Sequence, residues 1–260
     1  APDRSCRRAV CLGGNTVPAV RSAGGHRPPG RGHRHPGGDH PGGAGAAPGP
    51  VCNAGSPRVS LLDERDSAVI ETAAAELRPL LPPEGPVLVL GVGNRRVTAD
   101  ALGPRTVQKI FVTMGPRRIL MKGIRPVAAA APGVSSATGL TLRQLAGALV
   151  RELRPSALLC VDSLCSSEPE RLGRTLQFSD TGLHPDQPDS ARHLDAARLG
   201  LPVIAAGIPT LMQAEEGRDL VVTPRELDSV IAHGAALLGT AINRALQPGL
   251  TVAQLCWLTG

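Results

Sequence analysis

Aromatic side chains are almost absent from this chain of 260 residues, which contains two Phe, one Trp and no Tyr. Proteins that bind single-stranded nucleic acid without sequence preference stack the bases on aromatic rings, so this scarcity argues against that mode of binding. The hydrophobic content of 42% is nevertheless typical of a globular protein. We therefore expect a core built from Leu, Val, Ile and Ala.

Long apolar runs are also lacking. No run reaches the ~20 residues that a membrane-spanning helix needs, and the Arg-rich start lacks the apolar stretch of a secretory signal peptide. None of the six cysteines belongs to a Cys-x-x-Cys pair, which favours reduced thiols over a metal or disulfide framework. We expect a cytoplasmic protein with no membrane partner.

Excess positive charge is confined to the first 58 residues. They hold eight Arg and two Asp, a net charge of +6 that equals the net charge of the whole chain. Residues 59–260 therefore carry no net charge, and the sequence predicts no direct contact with nucleic acid.

The same 58 residues contain thirteen Gly, nine Pro and four of the seven His, without helical or strand periodicity. Such a segment buries too little apolar surface to offset its chain entropy, which predicts disorder. Out-of-frame translation of a GC-rich gene would also produce a segment of this composition. We set the boundary of the folded domain at residue 59.

Residues 59–260 alternate between helical and strand patterns. The predicted helices are 63–78, 141–153, 224–246 and 250–258, and the predicted strands are 87–90, 157–161, 174–178 and 202–206. Short, wholly apolar strands separated by amphipathic helices indicate an α/β sheet covered on both faces. Ligands in such folds bind beyond the carboxyl ends of the strands.

The Gly-rich turn at 91–94 (GVGN) follows a strand but does not match a dinucleotide site. Arg96 stands where the third glycine of that fingerprint belongs, and no acidic residue ends a second strand ~20 residues later. The phosphate-binding loop of nucleotide hydrolases and the nucleophile elbow of serine hydrolases are absent too. We predict no cofactor.

Asp100 and Asp162 are the candidate catalytic residues. Asp100 follows the first strand, and Asp162 follows five apolar residues of the second. A carboxylate at the end of a buried strand lowers stability unless it is paired with another group or takes part in binding or catalysis. Two neighbouring acids could divide the tasks of general base and general acid, or they could bind a divalent metal. Alternatively, Asp100 caps the next helix and Asp162 caps a turn.

Asp180 belongs to an Asp-Thr-Gly segment at 180–182, a motif that retroviral-type aspartic proteases carry in an all-β fold. A single copy in an α/β pattern favours a turn residue. His184 follows directly and is either a further polar group of the site or an exposed loop residue.

An ordered set of segments resembles the germination protease family, also called spore protease. The matching segments are 87–94 (VLVLGVGN), 97–104 (VTADALGP), 125–127 (RPV) with 131–134 (APGV) and 138–139 (TG), 161–162 (VD), 177–182 (QFSDTG) with 184–185 (HP), 202–210 (PVIAAGIPT), 222–224 (VTP) and 243–246 (NRAL). Their order and spacing agree across about 59–260.

The resemblance implies a three-layer αβα sandwich, phosphorylase/hydrolase-like and similar to hydrogenase-maturation peptidases. It implies an aspartic-type endopeptidase with Asp100 and Asp162 as catalytic acids and Asn94, Asp180 and His184 as supporting or substrate-binding residues. It further implies a homotetramer that is made during sporulation as a zymogen in the forespore. The substrates would be small acid-soluble spore proteins, degraded in the spore core at germination.

The chain departs from the family pattern at three places. Residues 186–190 (DQPDS) replace a Gly-rich stretch, Gln213 replaces a carboxylate, and residues 1–58 do not match the family's N-terminal region. A metal-dependent maturation-type peptidase and a non-catalytic relative of the family remain the alternatives.

Overall fold

The computed structural model describes residues 6–11, 20–21, 57–63, 65–115, 123–166, 168–183, 193–213 and 221–260. The strands in these residues are β1 (Cys6–Cys11), β2 (Val20–Arg21), β3 (Val87–Gly91), β4 (Val127–Ala130), β5 (Ala157–Ser166), β6 (Thr175–Ser179), β7 (Val203–Gln213) and β8 (Val221–Val222). The α-helices are α1 (Ser67–Leu77), α2 (Leu102–Val107), α3 (Ser135–Thr138), α4 (Leu142–Leu153), α5 (Ala196–Leu199), α6 (Leu227–Leu246) and α7 (Val252–Thr259).

One sheet contains all of these strands, in the order β2-β1-β6-β7-β5-β3-β4, with β8 paired to β7. The centre is parallel: β3 lies between β4 and β5, and β5 also pairs with β7. On the other side of β7 the pairing becomes antiparallel, through β6 to β1. The carboxyl ends of β3 and β5 therefore point to the same edge of the sheet, which we call the carboxyl edge.

Helices cover both faces of the parallel strands. Alternate residues of β5 belong to two separate hydrophobic clusters: Leu159 packs with residues of α1, α2 and α6, whereas Leu158 packs with residues of α4. The result is the three-layer αβα sandwich that the sequence predicted. Within the described ranges, no helix is both long and apolar enough to cross a membrane.

The predicted elements are all present, but two strands are longer than predicted. β5 continues past Asp162 to Ser166, and β7 continues past Gly207 to Gln213. The two extensions pair with each other across a register shift after Leu164, so each supplies the hydrogen-bond partners of the other. The long C-terminal helix begins at Leu227 and leaves Pro224 outside its first turn.

Two short segments within residues 1–58, for which the sequence predicts disorder, form the strands β1 and β2. Residues of β1 pair antiparallel with β6, and β2 pairs with the start of β1. Ladder hydrogen bonds join backbone groups, so the free edge of β6 can hold a segment that has no apolar periodicity. The average composition of 58 residues does not reveal that six of them pair with the edge of a sheet. The boundary at residue 59 stays a prediction.

Candidate active site

Asp100 lies in a tight turn at the carboxyl end of β3. The chain leaves the sheet after Gly91 and forms a 3-10 turn at Thr98–Asp100. The backbone N–H of Asn94 donates to Asp100 Oδ2 at 2.7 Å, which folds the loop back on itself. The N-cap of α2 is Ala101, with no side-chain cap. The capping explanation for Asp100 is therefore wrong, and its carboxylate instead holds the loop.

Asn94 contributes to the same turn in two ways. Besides the N–H that Asp100 accepts, its Oδ1 accepts the backbone N–H of Arg96 at 3.0 Å. Its side chain is only partly buried. Asn94 thus stabilises the loop that carries Asp100, and its role at the site stays a prediction.

Two glycines allow this turn to lie against the strand ends. Gly93 has a φ of +117°, a conformation that side chains other than glycine rarely adopt, and a Cβ there would collide with the carbonyl of Asp100. A Cβ on Gly103 would collide with the backbone carbonyls of Val92 and Val161. Because the residue after Val161 is Asp162, the start of α2 lies directly against the strand that carries the second acid.

Asp162 is a buried residue of the central strand β5, with 8% of its surface exposed. It pairs with Gly207 of β7, and its Oδ1 accepts the backbone N–H of Ser163 at 2.8 Å. The strand continues for four more residues, so Asp162 does not cap a turn. Burial, together with the negative charge of Asp162, raises the pKa of the Cys160 thiol. Cys160 lies two residues away and so on the same face of the strand.

The fold brings both acids to the carboxyl edge. β3 is beside β5 up to the pair Gly91 and Val161, and the N–H of Val92 donates to the Val161 carbonyl at 2.8 Å. Asp162 is the next residue of β5 after this last pair, and the turn with Asp100 is the segment that follows β3. This is where α/β sheets bind ligands.

A third strand supports the turn. Thr210 of β7 is fully buried, and its Oγ1 donates to the carbonyl of Ala99 at 3.4 Å. Thr210 falls at the register shift between β5 and β7, where the pairs step from Leu164 with Pro209 to Cys165 with Leu211. Bulges are common next to active sites because they redirect a side chain. Thr210 could not be singled out from the sequence, because a register shift is set by pairing with another strand and leaves no local signal.

Asp180 is separated from the two acids. It is exposed and follows β6, where the Ser179 and Thr181 hydroxyls are hydrogen-bonded at 2.7 Å. Gln177 pairs with Gly207, the residue that also pairs with Asp162, and β6 runs antiparallel to β7. Asp180 therefore lies three residues, about 10 Å, from the level of Asp162 in the sheet, toward the amino edge. His184 lies outside the described residues.

Two clefts formed by described residues do not contain the acids. One of about 630 Å³ is lined by residues that precede β3 and β4, including Gly85 and Pro126, and so lies at the amino edge. Another of about 330 Å³ is lined by Arg58, Arg174 and Arg225 among others. Asp100 and Asp162 are therefore candidate catalytic residues because of their place in the sheet, not because they line a cleft. Among the described residues, no group of three or more His, Cys, Asp and Glu side chains could hold a metal ion.

Comparison with known proteins gives a consistent family match. The model of the family described as germination protease matches residues 79–216, more than half of the chain and including both acids. A germination protease of Clostridium perfringens is 31% identical over 241 residues, covering 72% of this chain and 74% of that protein. A germination protease of Caldanaerobacter subterraneus is 33% identical over 246 residues, covering 75% and 76%.

A solved structure is also similar to this chain. It is a [NiFe] hydrogenase maturation protease, HycI from Thermococcus kodakarensis, with 15% sequence identity and a TM-score of 0.39. The match covers 66% of this chain and 98% of that one. The fold assignment rests on the strand order and the two helical layers described above.

Proposed function

Because this chain belongs to the germination protease family, we propose that it is an endopeptidase of small acid-soluble spore proteins, with Asp100 and Asp162 as its catalytic acids. The observation that supports the two-aspartate assignment is that both acids lie at the carboxyl edge, one in the turn after β3 and one in the neighbouring β5. We place its action in the spore core, after synthesis as a zymogen in the forespore.

The two acids divide the chemistry of peptide hydrolysis. One carboxylate takes a proton from water, and the resulting hydroxide oxygen forms a bond to the scissile carbonyl carbon. The other carboxyl is protonated and donates a hydrogen bond to the carbonyl oxygen, where negative charge develops. The first acid then gives its proton to the amide nitrogen, and the C–N bond breaks. One water is consumed, and the products are a carboxylic acid and an amine.

The low-dielectric environment of Asp162 suits this mechanism. A buried carboxyl is costly as an isolated charge unless the protein employs it. Two acids at one site can divide the tasks of base and acid, as in other proteases with two aspartates.

The direct test is digestion of a purified small acid-soluble spore protein by the purified full chain, with and without EDTA. We expect discrete fragments by gel electrophoresis and mass spectrometry in both conditions. A parallel preparation from cells without the gene controls for contaminating proteases. Loss of cleavage in EDTA that added zinc or nickel restores would indicate a metal-dependent peptidase. No cleavage in any condition would indicate a non-catalytic member of the family.

We further propose that the chain assembles as a homotetramer. Large apolar side chains that are exposed in the single chain support this assembly: Trp257 of α7 is 83% exposed and Leu61 is 77% exposed. Light scattering coupled to size exclusion should give about four times the chain mass of 26.8 kDa. A mass of one chain at all concentrations tested would contradict the assembly and leave the catalytic proposal untouched.

A further inference from the structure

The cleft of about 630 Å³ at the amino edge of the sheet has no task in the proposed reaction. Its lining residues come from the segment between α1 and β3, the segment before β4, and the end of α6. We call it the amino-edge cleft. Its volume is within the range of about 300–1,000 Å³ that is typical of small-molecule sites.

Most of the lining side chains of this cleft are apolar. Leu81, Ile124 and Leu246 contribute aliphatic groups, and four prolines add rigid apolar rings. Binding sites for small molecules are lined mainly by apolar groups, with a few polar groups that fix the orientation of the ligand. A ligand of the amino-edge cleft should therefore bury an apolar body.

The charged lining residues are the two arginines Arg78 and Arg125 and the one glutamate Glu84, which give a net charge of +1. Neither arginine forms an ion pair with a residue that the structure describes. Arg125 is partly buried, and this burial lowers the pKa of its guanidinium. Arginine nevertheless keeps its charge in proteins, and a charge removed from water is stabilised by a partner of opposite sign.

Hydrogen bonds hold Arg125 in place but leave one end of its guanidinium without a partner. Its Nε donates to the Gly85 carbonyl at 2.8 Å, and its Nη2 donates to the Glu84 carbonyl at 3.1 Å. The Gln247 side chain bonds both the backbone N–H and the carbonyl of Arg125, at 2.8 and 2.9 Å. Nη1 donates to none of the described residues. A ligand would therefore meet a donor that is already ordered.

We propose that the amino-edge cleft binds a small molecule with an apolar body and one carboxylate, which accepts hydrogen bonds from Nη1 of Arg125. Bonds of this kind between two charged groups are stronger than bonds between neutral groups. The lining charge of +1 balances a single negative charge, which favours a monocarboxylate over a phosphate dianion. The site goes beyond the proposed function, because it lies at the edge of the sheet opposite to the acids.

The first test measures binding of naphthoate, an aromatic carboxylate, and of naphthamide, its neutral counterpart, to the full chain. Saturation-transfer NMR gives the Kd, and thermal unfolding gives a second readout. Naphthoate should bind at least about tenfold more tightly than naphthamide, since the amide lacks the charge, and it should raise the melting temperature. Equal affinities, no binding of naphthoate at millimolar concentration, or its displacement by an equal concentration of inorganic phosphate would overturn the proposed ligand class.

Two substitutions in the cleft should change the Kd for naphthoate in opposite directions. Arg125→Met keeps an apolar stem and removes the N–H groups, so the Kd should rise about tenfold. Glu84→Gln removes the negative charge of the lining, so the Kd should fall about two- to threefold. The matched control is Arg143→Met, which removes an exposed arginine at the start of α4 and should leave the Kd unchanged.

Arg125→Met also loses the bonds to the carbonyls of Gly85 and Glu84, so its fold is checked by circular dichroism. If this variant unfolds, Arg78→Met provides the comparison at an exposed residue, with a Kd that rises about threefold. An unchanged Kd in the folded Arg125→Met protein, or in Arg78→Met in its place, would show that naphthoate binds elsewhere and would overturn the site. These measurements involve no cleavage, so their outcome is independent of the proposed peptidase activity.

Discussion

Replacing Asp162 by Asn should reduce the cleavage rate of a small acid-soluble spore protein about a thousandfold or more, with the fold retained. An amide cannot accept the proton of the attacking water or give one to the leaving nitrogen. Its Oδ1 can still accept the Ser163 N–H that Asp162 accepts at 2.8 Å, so the strand should be preserved. Circular dichroism and thermal unfolding would confirm this. The same loss is expected for Asp100→Asn, in which Asn retains an acceptor for the N–H of Asn94.

The control is Glu152→Gln, which removes the same charge from an exposed side chain in the last turn of α4. That turn is at the amino edge, since β5 begins a few residues later, and cleavage should be unchanged. If the two acids work as a unit, the double variant should be no slower than either single one. An Asp162→Asn protein with full activity would rule out the assignment.

Replacing Gly103 by Ala should lower the free energy of unfolding by about 3 kcal/mol or more. The added methyl group would overlap the backbone carbonyls of Val92 and Val161. Neither carbonyl belongs to a flexible side chain that could move aside, and both residues are buried. To make room, α2 must shift away from β3 and β5 and take the turn with Asp100 along. We therefore expect a loss of cleavage that is larger than the loss of folded protein, measured by urea unfolding alongside activity.

Gly147→Ala is the matched control for this substitution. Gly147 is in the middle of α4, and a Cβ there would meet only the tip of Arg151 at 3.5 Å. Alanine favours the helix over glycine by roughly 0.5–1 kcal/mol, so this variant should be slightly more stable and fully active. A Gly103→Ala protein as stable and active as Gly147→Ala would show that α2 is not seated on the strands in the way described.

Much of the layer architecture could be predicted because its signals are local. A run such as Val87–Gly91 is apolar at every position, which a strand buried on both faces requires. Likewise, Thr141 and Gln144 form a capping box that starts α4 within one residue of its predicted position. The extra lengths of β5 and β7 could not be predicted in this way. Residues 163–166 are less apolar, and they form a strand because β7 continues beside them.

The candidate site shows the same division between local and non-local information. The sequence alone determined the elements of the layered sheet, the family resemblance and the choice of Asp100 and Asp162, because apolar periodicity and motif order are read along the chain. Only the tertiary structure decided that Asp162 lies within a strand, that Asp180 is displaced from both acids and that β1 joins the sheet through β6. The physical reason is that strand register and close backbone packing, such as Gly103 against the Val161 carbonyl, are set between segments distant in sequence.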